Sequence, residues 1–259
     1  MTVEARNILI YLSVKHKGDW DSIFKAIREN EDVDEDEVRK CTNSLKCKAI
    51  TILDKEYPVN LKEIYKPPFV LFYYGDISLI QTYSRNLAVI GSREPSEYSQ
   101  EHLINIVKDL AIDTTIVSGL ALGIDGLAHE TCINAGGKTI AVLGCGVDIF
   151  YPSSNMKLQE IIREKHLLIS EYPEGVLPVP DHFLVRNRII VGLSKAVMAF
   201  DIRPMSGSLS IANLSCHLNK DLMSIPYPIG TGFLNNELIN EGANLVENAQ
   251  DVREVLGNY

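Results

Sequence analysis

Five short turns built from Gly, Ser, Asn and Arg carry the chemical interest of this chain. They are Ile90-Gly91-Ser92-Arg93, Ser118-Gly119-Leu120-Ala121-Leu122-Gly123-Ile124-Asp125, Gly144-Cys145-Gly146, Arg186-Asn187-Arg188 and Ser206-Gly207-Ser208. Each is placed where an apolar strand is expected to end. They offer backbone N–H groups, hydroxyls and guanidinium groups with few carboxylates, which is a donor set for anions. In an open parallel sheet the loops at the carboxyl ends of the strands converge on one edge. Five such turns would build a single surface suited to phosphates.

Taken singly, the turns differ in what they offer. Gly91 permits close backbone approach, and Ser92 and Arg93 are donors for a phosphate oxygen. Ser96 reads instead as the N-cap of the following helix. The loop with Ser118, Gly119 and Gly123 opens another helix, whose N-terminal N–H groups and partial positive charge suit an anion. Asp125 and His129 share a helical face, but no nucleophile adjoins them, so they read as a helix cap and a hydrogen-bonded part of the wall. Gly144-Cys145-Gly146 lacks the third glycine of a dinucleotide fingerprint, and Cys145 reads as a small buried residue. Arg186 and Arg188 stand at the expected start of an apolar helix, where a cation opposes the helix dipole. An external anion offsets that cost for Arg186. For Arg188 an external anion and an internal carboxylate such as Glu171 are equal alternatives. Ser206 and Ser208 flank Gly207 at a third helix start, where capping explains one hydroxyl and a phosphate contact the other. Lys138 lies at the amino end of its strand, so the edge rule makes it a solvated lysine. Several separated phosphate sites along one crevice suit a polynucleotide strand better than a mononucleotide.

The elements that must position these turns follow from apolar periodicity. Leu87–Ile90, Thr115–Val117, Thr139–Leu143, Leu167–Ile169, Ala196–Phe200 and Leu222–Ile225 are short apolar runs separated by helical stretches. That is the pattern of a parallel sheet covered on both faces, a doubly wound α/β domain over residues 86–259. Residues 1–50 read as a small helical domain, with apolar residues from Ile8 to Leu45 at amphipathic spacing. Residues 51–85 form a Pro- and Tyr-rich connecting segment with an edge strand, Phe69–Tyr74. The acidic run Glu29–Glu37 reads as a solvated loop and helix start.

Bulk properties narrow the function class. A chain of 259 residues with a formal charge of −9 is not a broadly basic coat for nucleic acid, although a local basic groove remains compatible with it. Its five scattered cysteines include no C-x-x-C pair, which suits reduced thiols and suggests neither a disulfide framework nor a zinc site. No apolar stretch approaches the roughly 20 residues that span a bilayer, and Met1–Arg6 lacks a leader pattern, so a cytoplasmic protein is expected.

With these residues in place, the chain resembles the bacterial DNA-processing protein family DprA, also called Smf, which mediates loading of RecA on incoming single strands during transformation. The likeness runs from Tyr57-Pro58 to Gly242-Ala243. It rests on the Gly-Ser-Arg turn, Ser118–Asp125 with Ala128-His129 behind it, Gly136–Val142, Tyr151-Pro152, Ser170-Glu171, Arg186–Ile190, Ser206–Leu209 and Leu238-Ile239. The resemblance implies an extended Rossmann-like, doubly wound, mostly parallel sheet preceded by a small sterile-alpha-motif-like helical domain. It implies binding of single-stranded DNA, a homodimer through the C-terminal part and contact with RecA, with no cofactor. Family strand-binding roles fall on Arg93 and Lys138, so the resemblance replaces the solvated reading of Lys138. The expected DNA-binding set is Gly91, Ser92, Arg93, Ser118, Gly119, Gly123, Lys138, Arg186, Asn187, Arg188, Ser206, Gly207 and Ser208. Phe183 joins it as the candidate for base stacking, because Trp20 is the only tryptophan. The chain stops soon after Asp251, so no C-terminal winged-helix domain of the kind seen in some relatives is expected.

The alternative is a Rossmann-like nucleotide hydrolase or phosphoribohydrolase acting on a nucleoside monophosphate with Glu171, or Asp125 and His129. A dinucleotide-dependent oxidoreductase is disfavoured by the incomplete glycine motif. The expected function is nonenzymatic: protection of incoming single strands and RecA loading in natural transformation and recombination.

Overall fold

The computed structural model describes residues 4–257. Residues 1–3 and 258–259, the outer ends of the first and third expected units and part of the leader reading, lie outside the described residues. The chain opens with three helices, α1 (Ala5–Lys15), α2 (Trp20–Arg28) and α3 (Glu35–Ser44). Asp19 caps α2 by accepting from Ser22 N, and Asp34 caps α3 by accepting from Asp36 N and Glu37 N. The acidic run thus begins a helix, where carboxylates in the first turn complement the dipole. Leu12, Ile23 and Ala26 pack the helices together, while Leu9 and Ile10 pack α1 on Val70 and Phe72 of the sheet.

Nine strands form one sheet among the described residues: β1 (Lys48–Thr51), β2 (Val70–Gly75), β3 (Asn86–Gly91), β4 (Thr115–Ser118), β5 (Lys138–Leu143), β6 (Leu167–Ser170), β7 (Ala196–Phe200), β8 (Asp221–Ser224) and β9 (Asn244–Leu245). Their order is β1-β2-β6-β5-β4-β3-β7-β8-β9. The pairs β1/β2 and β2/β6 are antiparallel and the others parallel. The seven expected strands all form, within one residue of their expected ends. The other two, β1 and β9, lack a continuous apolar run because they lie at the edges, half-covered. β1 crosses the expected boundary at residue 50 and joins the connecting segment to the same sheet.

Between β1 and β2 lies the short α4 (Val59–Lys62), and then come α5 (Glu97–Leu110), α6 (Ile124–Asn134), α7 (Met156–Lys165), α8 (Pro180–Leu193), α9 (Gly207–His217), α10 (Asn235–Asn240) and α11 (Ala249–Leu256). Helices α5, α6, α7 and α11 cover one face of the sheet, and α8 and α9 cover the other. Alternation along β3 shows why its sequence is apolar throughout. Leu87 and Val89 pack toward α5 and α6, Ala88 and Ile90 toward α8 and α9, and all four are buried. Burying one such Leu, Ile or Val side chain contributes about 1.5–3 kcal/mol, so both cores hold the sheet. No helix among the described residues is long and apolar enough to cross a membrane.

Candidate functional site

From β3 the chain steps outward through β4, β5 and β6, and α8 then carries it back to place β7 on the other side of β3. This reversal is a topological switch point, where adjacent loops leave in opposite directions and open a crevice beyond the carboxyl ends of the strands. A crevice of about 500 Å³ lies there. The β3–α5 loop supplies Gly91, Ser92 and Arg93, the β7–α9 loop supplies Asp201, Arg203 and Ser206 to Ser208, and α8 supplies Arg186 and Asn187.

Arg93 is exposed and makes no hydrogen bond or ion pair among the described residues. The backbone that carries it is fixed. Ser92 Oγ accepts from Glu94 N at 3.1 Å, and Ser92 O accepts from Ile124 N at 3.1 Å. Gly123 closes this junction with φ at +74°, and a Cβ there would lie 2.3 Å from Ser92 O. Gly123 therefore works by letting two loops touch, and does not line the crevice. Gly91 likewise makes room for packing, since a Cβ would meet Phe200 O at 2.5 Å.

Facing Arg93 is the start of α9. Ser206 Oγ caps it by accepting from Leu209 N at 3.1 Å, as one of the two serines was expected to do. Ser208 departs from the expectation: its Oγ donates to Gly91 O at 2.6 Å and ties the two loops together. What α9 offers an anion is its first-turn backbone N–H groups, which have no intrahelical acceptor. A Cβ on Gly207 would meet nothing within 4 Å, so that surface is open. Arg203, absent from the expected DNA-binding set, is exposed in the same loop, with its guanidinium 5.4 Å from the Phe233 ring. Its place three residues after β7 was the available signal, by the edge rule already applied to its neighbours.

Asp201 would be an unwelcome charge beside a phosphate, but it is buried and internally satisfied. Its carboxylate accepts from Ser96 N at 2.6 Å, Ser96 Oγ at 3.0 Å and Ser99 Oγ at 2.6 Å. Asp125 is drawn inward as well, accepting from Gly119 N at 3.2 Å and Ala121 N at 3.4 Å. It stands two residues inside α6, whose N-cap is Gly123, so it braces the loop rather than capping the helix. Burial pushes its carboxyl above the ordinary range, and Arg186 and the backbone donors oppose that shift.

Beside the crevice a small apolar recess of about 40 Å³ is walled by Phe183, Tyr151 and Gly144, with Arg93 and Gly119 at its edge. The two rings lie 5.4 Å apart. Gly144 allows this, because a Cβ there would press within 2.8 Å of the Phe183 ring. Cys145 is buried next to it, and burial pushes its thiol up to about 11, in keeping with a small packed residue.

Four further candidate residues, Arg186, Arg188, Ser118 and Lys138, need correction. Arg186 and Arg188 lie in the middle of α8, which begins at Pro180, so neither guanidinium opposes the dipole at the helix start. Arg186 is 4% exposed and already has internal acceptors: Nη1 donates to Gly119 O at 2.9 Å and to Val142 O. It forms the floor of the crevice and balances Asp125, and Gly119 is the glycine that accommodates its guanidinium, with a Cβ 2.5 Å from Nη2. Arg188 points to the other side of α8, where Nη2 donates to Glu171 Oε1 at 2.5 Å. The internal carboxylate is thus its partner. Ser118 is fully buried and donates to Val89 O at 2.6 Å, outside the crevice. Lys138 is the first residue of β5, exposed on the amino edge of the sheet, opposite the crevice.

The residues of the hydrolase alternative are separated. Glu171 pairs with Arg188 away from the crevice. His129 is buried within α6, with Nδ1 2.6 Å from Thr139 Oγ1. Thr139 donates its single proton to Ile116 O, so Nδ1 carries a hydrogen and donates. Burial pushes the imidazole down to about 3.

Fold and site together define a Rossmann-like α/β protein with a glycine-lined, arginine-bearing crevice at its switch point. Residues 48–257 match the family described as DNA recombination-mediator protein A, and the chain belongs to that family. It is 42% identical over 206 residues to the DNA processing protein DprA of Streptococcus pneumoniae, covering 79% of this chain and 72% of that protein. It is 36% identical over 211 residues to DprA of Bacillus subtilis, covering 80% and 71%. The X-ray structure of DNA processing protein A from S. pneumoniae superposes with a TM-score of 0.81 at 32% identity, over 98% of each chain. A structure concerned with the single-stranded DNA binding mode of DNA processing protein A from Helicobacter pylori superposes with a TM-score of 0.74 at 32% identity, over 83% of this chain and 98% of that one.

Proposed function

We propose that this protein binds single-stranded DNA in the switch-point crevice and, without catalysing a reaction, delivers the strand to RecA in natural transformation and recombination. The observation that carries the reading is Arg93: an exposed guanidinium with no partner among the described residues, on a rigid loop, facing a helix N-terminus and a second exposed arginine, Arg203. Two separated cations with open backbone donors between them suit successive phosphates. The recess between Phe183 and Tyr151 supplies an aromatic face for an unstacked base beside that track. A duplex would keep its bases stacked and away from the recess, so single strands are the preferred form. Membership of the DNA recombination-mediator family supports a role in recombination; RecA as the partner, a homodimer through the C-terminal part of the Rossmann-like domain and a cytoplasmic setting belong to the same proposal.

The test is a salt titration of binding to a labelled oligonucleotide, single-stranded against duplex. The expected result is single-strand preference with affinity falling in salt at a log-log slope of about −0.7 per phosphate neutralised. Salt-independent binding, or turnover of a nucleoside monophosphate at this site, would overturn it. RecA assembly on the same oligonucleotide, with and without the protein, tests the delivery step.

A further inference from the structure

Helix α8 borders two concavities. Arg186 and Asn187 face the crevice, while Asp181, His182, Val185 and Arg188 line a second groove of about 910 Å³. Its opposite wall is the turn between α1 and α2 with Trp20, and its floor is the segment after β6 that begins with Glu171 and Tyr172. The proposed DNA track makes no use of this groove.

Its charges do not cancel internally. Lys66 is paired with Asp21 at 2.5 Å, and Arg188 with Glu171 Oε1 at 2.5 Å. Glu174 is engaged by Lys46 N, Cys47 N and Tyr74 OH. Among the described residues Asp19, Glu174 and Asp181 have no cationic partner, against Lys17 alone, and Glu171 keeps one oxygen unengaged. Glu171 is 4% exposed, and its Oε2 has no hydrogen-bond partner among the described residues. A buried carboxylate oxygen without a donor is costly, and burial pushes this carboxyl above the ordinary range. A cationic donor would relieve both. His182, stacked on Tyr172 at 3.9 Å, supplies no charge, because burial lowers its pKa. Around the carboxylates the wall is apolar and open, with Leu177 66%, Val179 42% and Val185 44% exposed.

We infer that this groove docks a polypeptide segment presenting a lysine or arginine between apolar side chains, with the cation directed to Glu171 and Asp181 and the apolar neighbours laid on Leu177, Val179 and Val185. Charge complementarity decides against a nucleic acid here, since phosphates would meet three carboxylates. The crevice on the other face of α8 has the opposite character, and the two faces sort a polyanion from a basic peptide.

Trp20, the single tryptophan, lines the groove and reports on it by fluorescence. The probe is the peptide acetyl-Leu-Arg-Leu-amide, with acetyl-Leu-Gln-Leu-amide as control, titrated into the millimolar range. A saturable change with the arginine peptide, at least about tenfold weaker with the glutamine peptide, is expected, because a charge-assisted hydrogen bond is worth more than 1.4 kcal/mol. Glu171→Gln should weaken the arginine peptide similarly. As that variant also disturbs Arg188, the exposed substitutions Asp181→Asn and Leu177→Ser provide the second arm, each lowering peptide affinity several-fold with oligonucleotide affinity unchanged. Equal affinity for the two peptides, no saturable Trp20 response, or an oligonucleotide response abolished by Asp181→Asn would each overturn the inference.

Discussion

Replacing Arg93 with alanine isolates the electrostatic part of the proposed DNA site. The side chain makes no hydrogen bond or ion pair among the described residues, and its backbone is held by Ser92 and Ile124. Its removal should therefore change stability by no more than about 0.5 kcal/mol, as for an ordinary surface residue. A guanidinium–phosphate contact is worth about 1.5–3 kcal/mol, which is roughly a 10- to 150-fold loss of affinity. Two exposed arginines without an ion pair among the described residues line the crevice, Arg93 and Arg203. If each neutralises one phosphate, their joint share of the salt slope is about −1.4, and Arg93→Ala should remove about 0.7 of it. Fluorescence anisotropy of a labelled oligothymidine, measured from low to moderate salt, reads both affinity and slope, and thermal unfolding run in parallel checks the fold. A variant that binds more weakly while keeping the full wild-type slope would refute the phosphate role. So would a variant with unchanged binding.

The contrasting substitution is Arg186→Met, which leaves the buried carbonyls Gly119 O and Val142 O without this donor and removes the cation that opposes the upward shift of Asp125; a loss of about 1–3 kcal/mol or more in urea unfolding is expected, partly restored by adding Asp125→Asn. If the double variant is no more stable than the single, Arg186 does not act on the Asp125 charge. Gly123→Ala forces a positive-φ alanine against Ser92 O and should cost about 1–3 kcal/mol or shift the loop, so that oligonucleotide binding falls along with stability; wild-type values for both would show that the junction is slack. His129 gives a pH signature: its folded value of about 3 lies below the ordinary 6.5, so the unfolded chain takes up the proton first as pH falls. Its contribution is complete above pH 6.5 and is lost below it at about 1.4 kcal/mol per pH unit toward 3. Unfolding at pH 7 and pH 5 should therefore show a shallower decline for His129→Gln than for the wild type, and parallel declines would count against a buried neutral imidazole.

Local pattern carried most of the architecture. Strands β3 to β8 were legible because a strand covered on both faces must be apolar at every position, and Gly, Ser and Pro punctuate its ends. The edge strands β1 and β9 were not, since half-covered strands pair through backbone groups that leave no mark on side-chain identity. The start of α8 is hidden in the sequence for a related reason. Pro180 at its first turn reads as part of a Pro-rich loop until Phe183 is seen lying on Gly144.

Within the site, the sequence by itself determined that donor-rich turns end the strands, and hence that Gly91 to Arg93 and Ser206 to Ser208 meet at one edge. The direction of each side chain was decided only in three dimensions. Residues 186 and 188 are neighbours in sequence but lie about 200° apart around a helix of 3.6 residues per turn, so one arginine floors the crevice and the other pairs with Glu171. Ser118, Ser208 and Asp201 have the composition of ligand contacts, yet the acceptors and donors that engage them come from residues 29, 117 and 105 positions away. A hydroxyl has one proton to give, and whether a ligand or a distant carbonyl receives it depends on which loops tertiary packing brings within 3 Å.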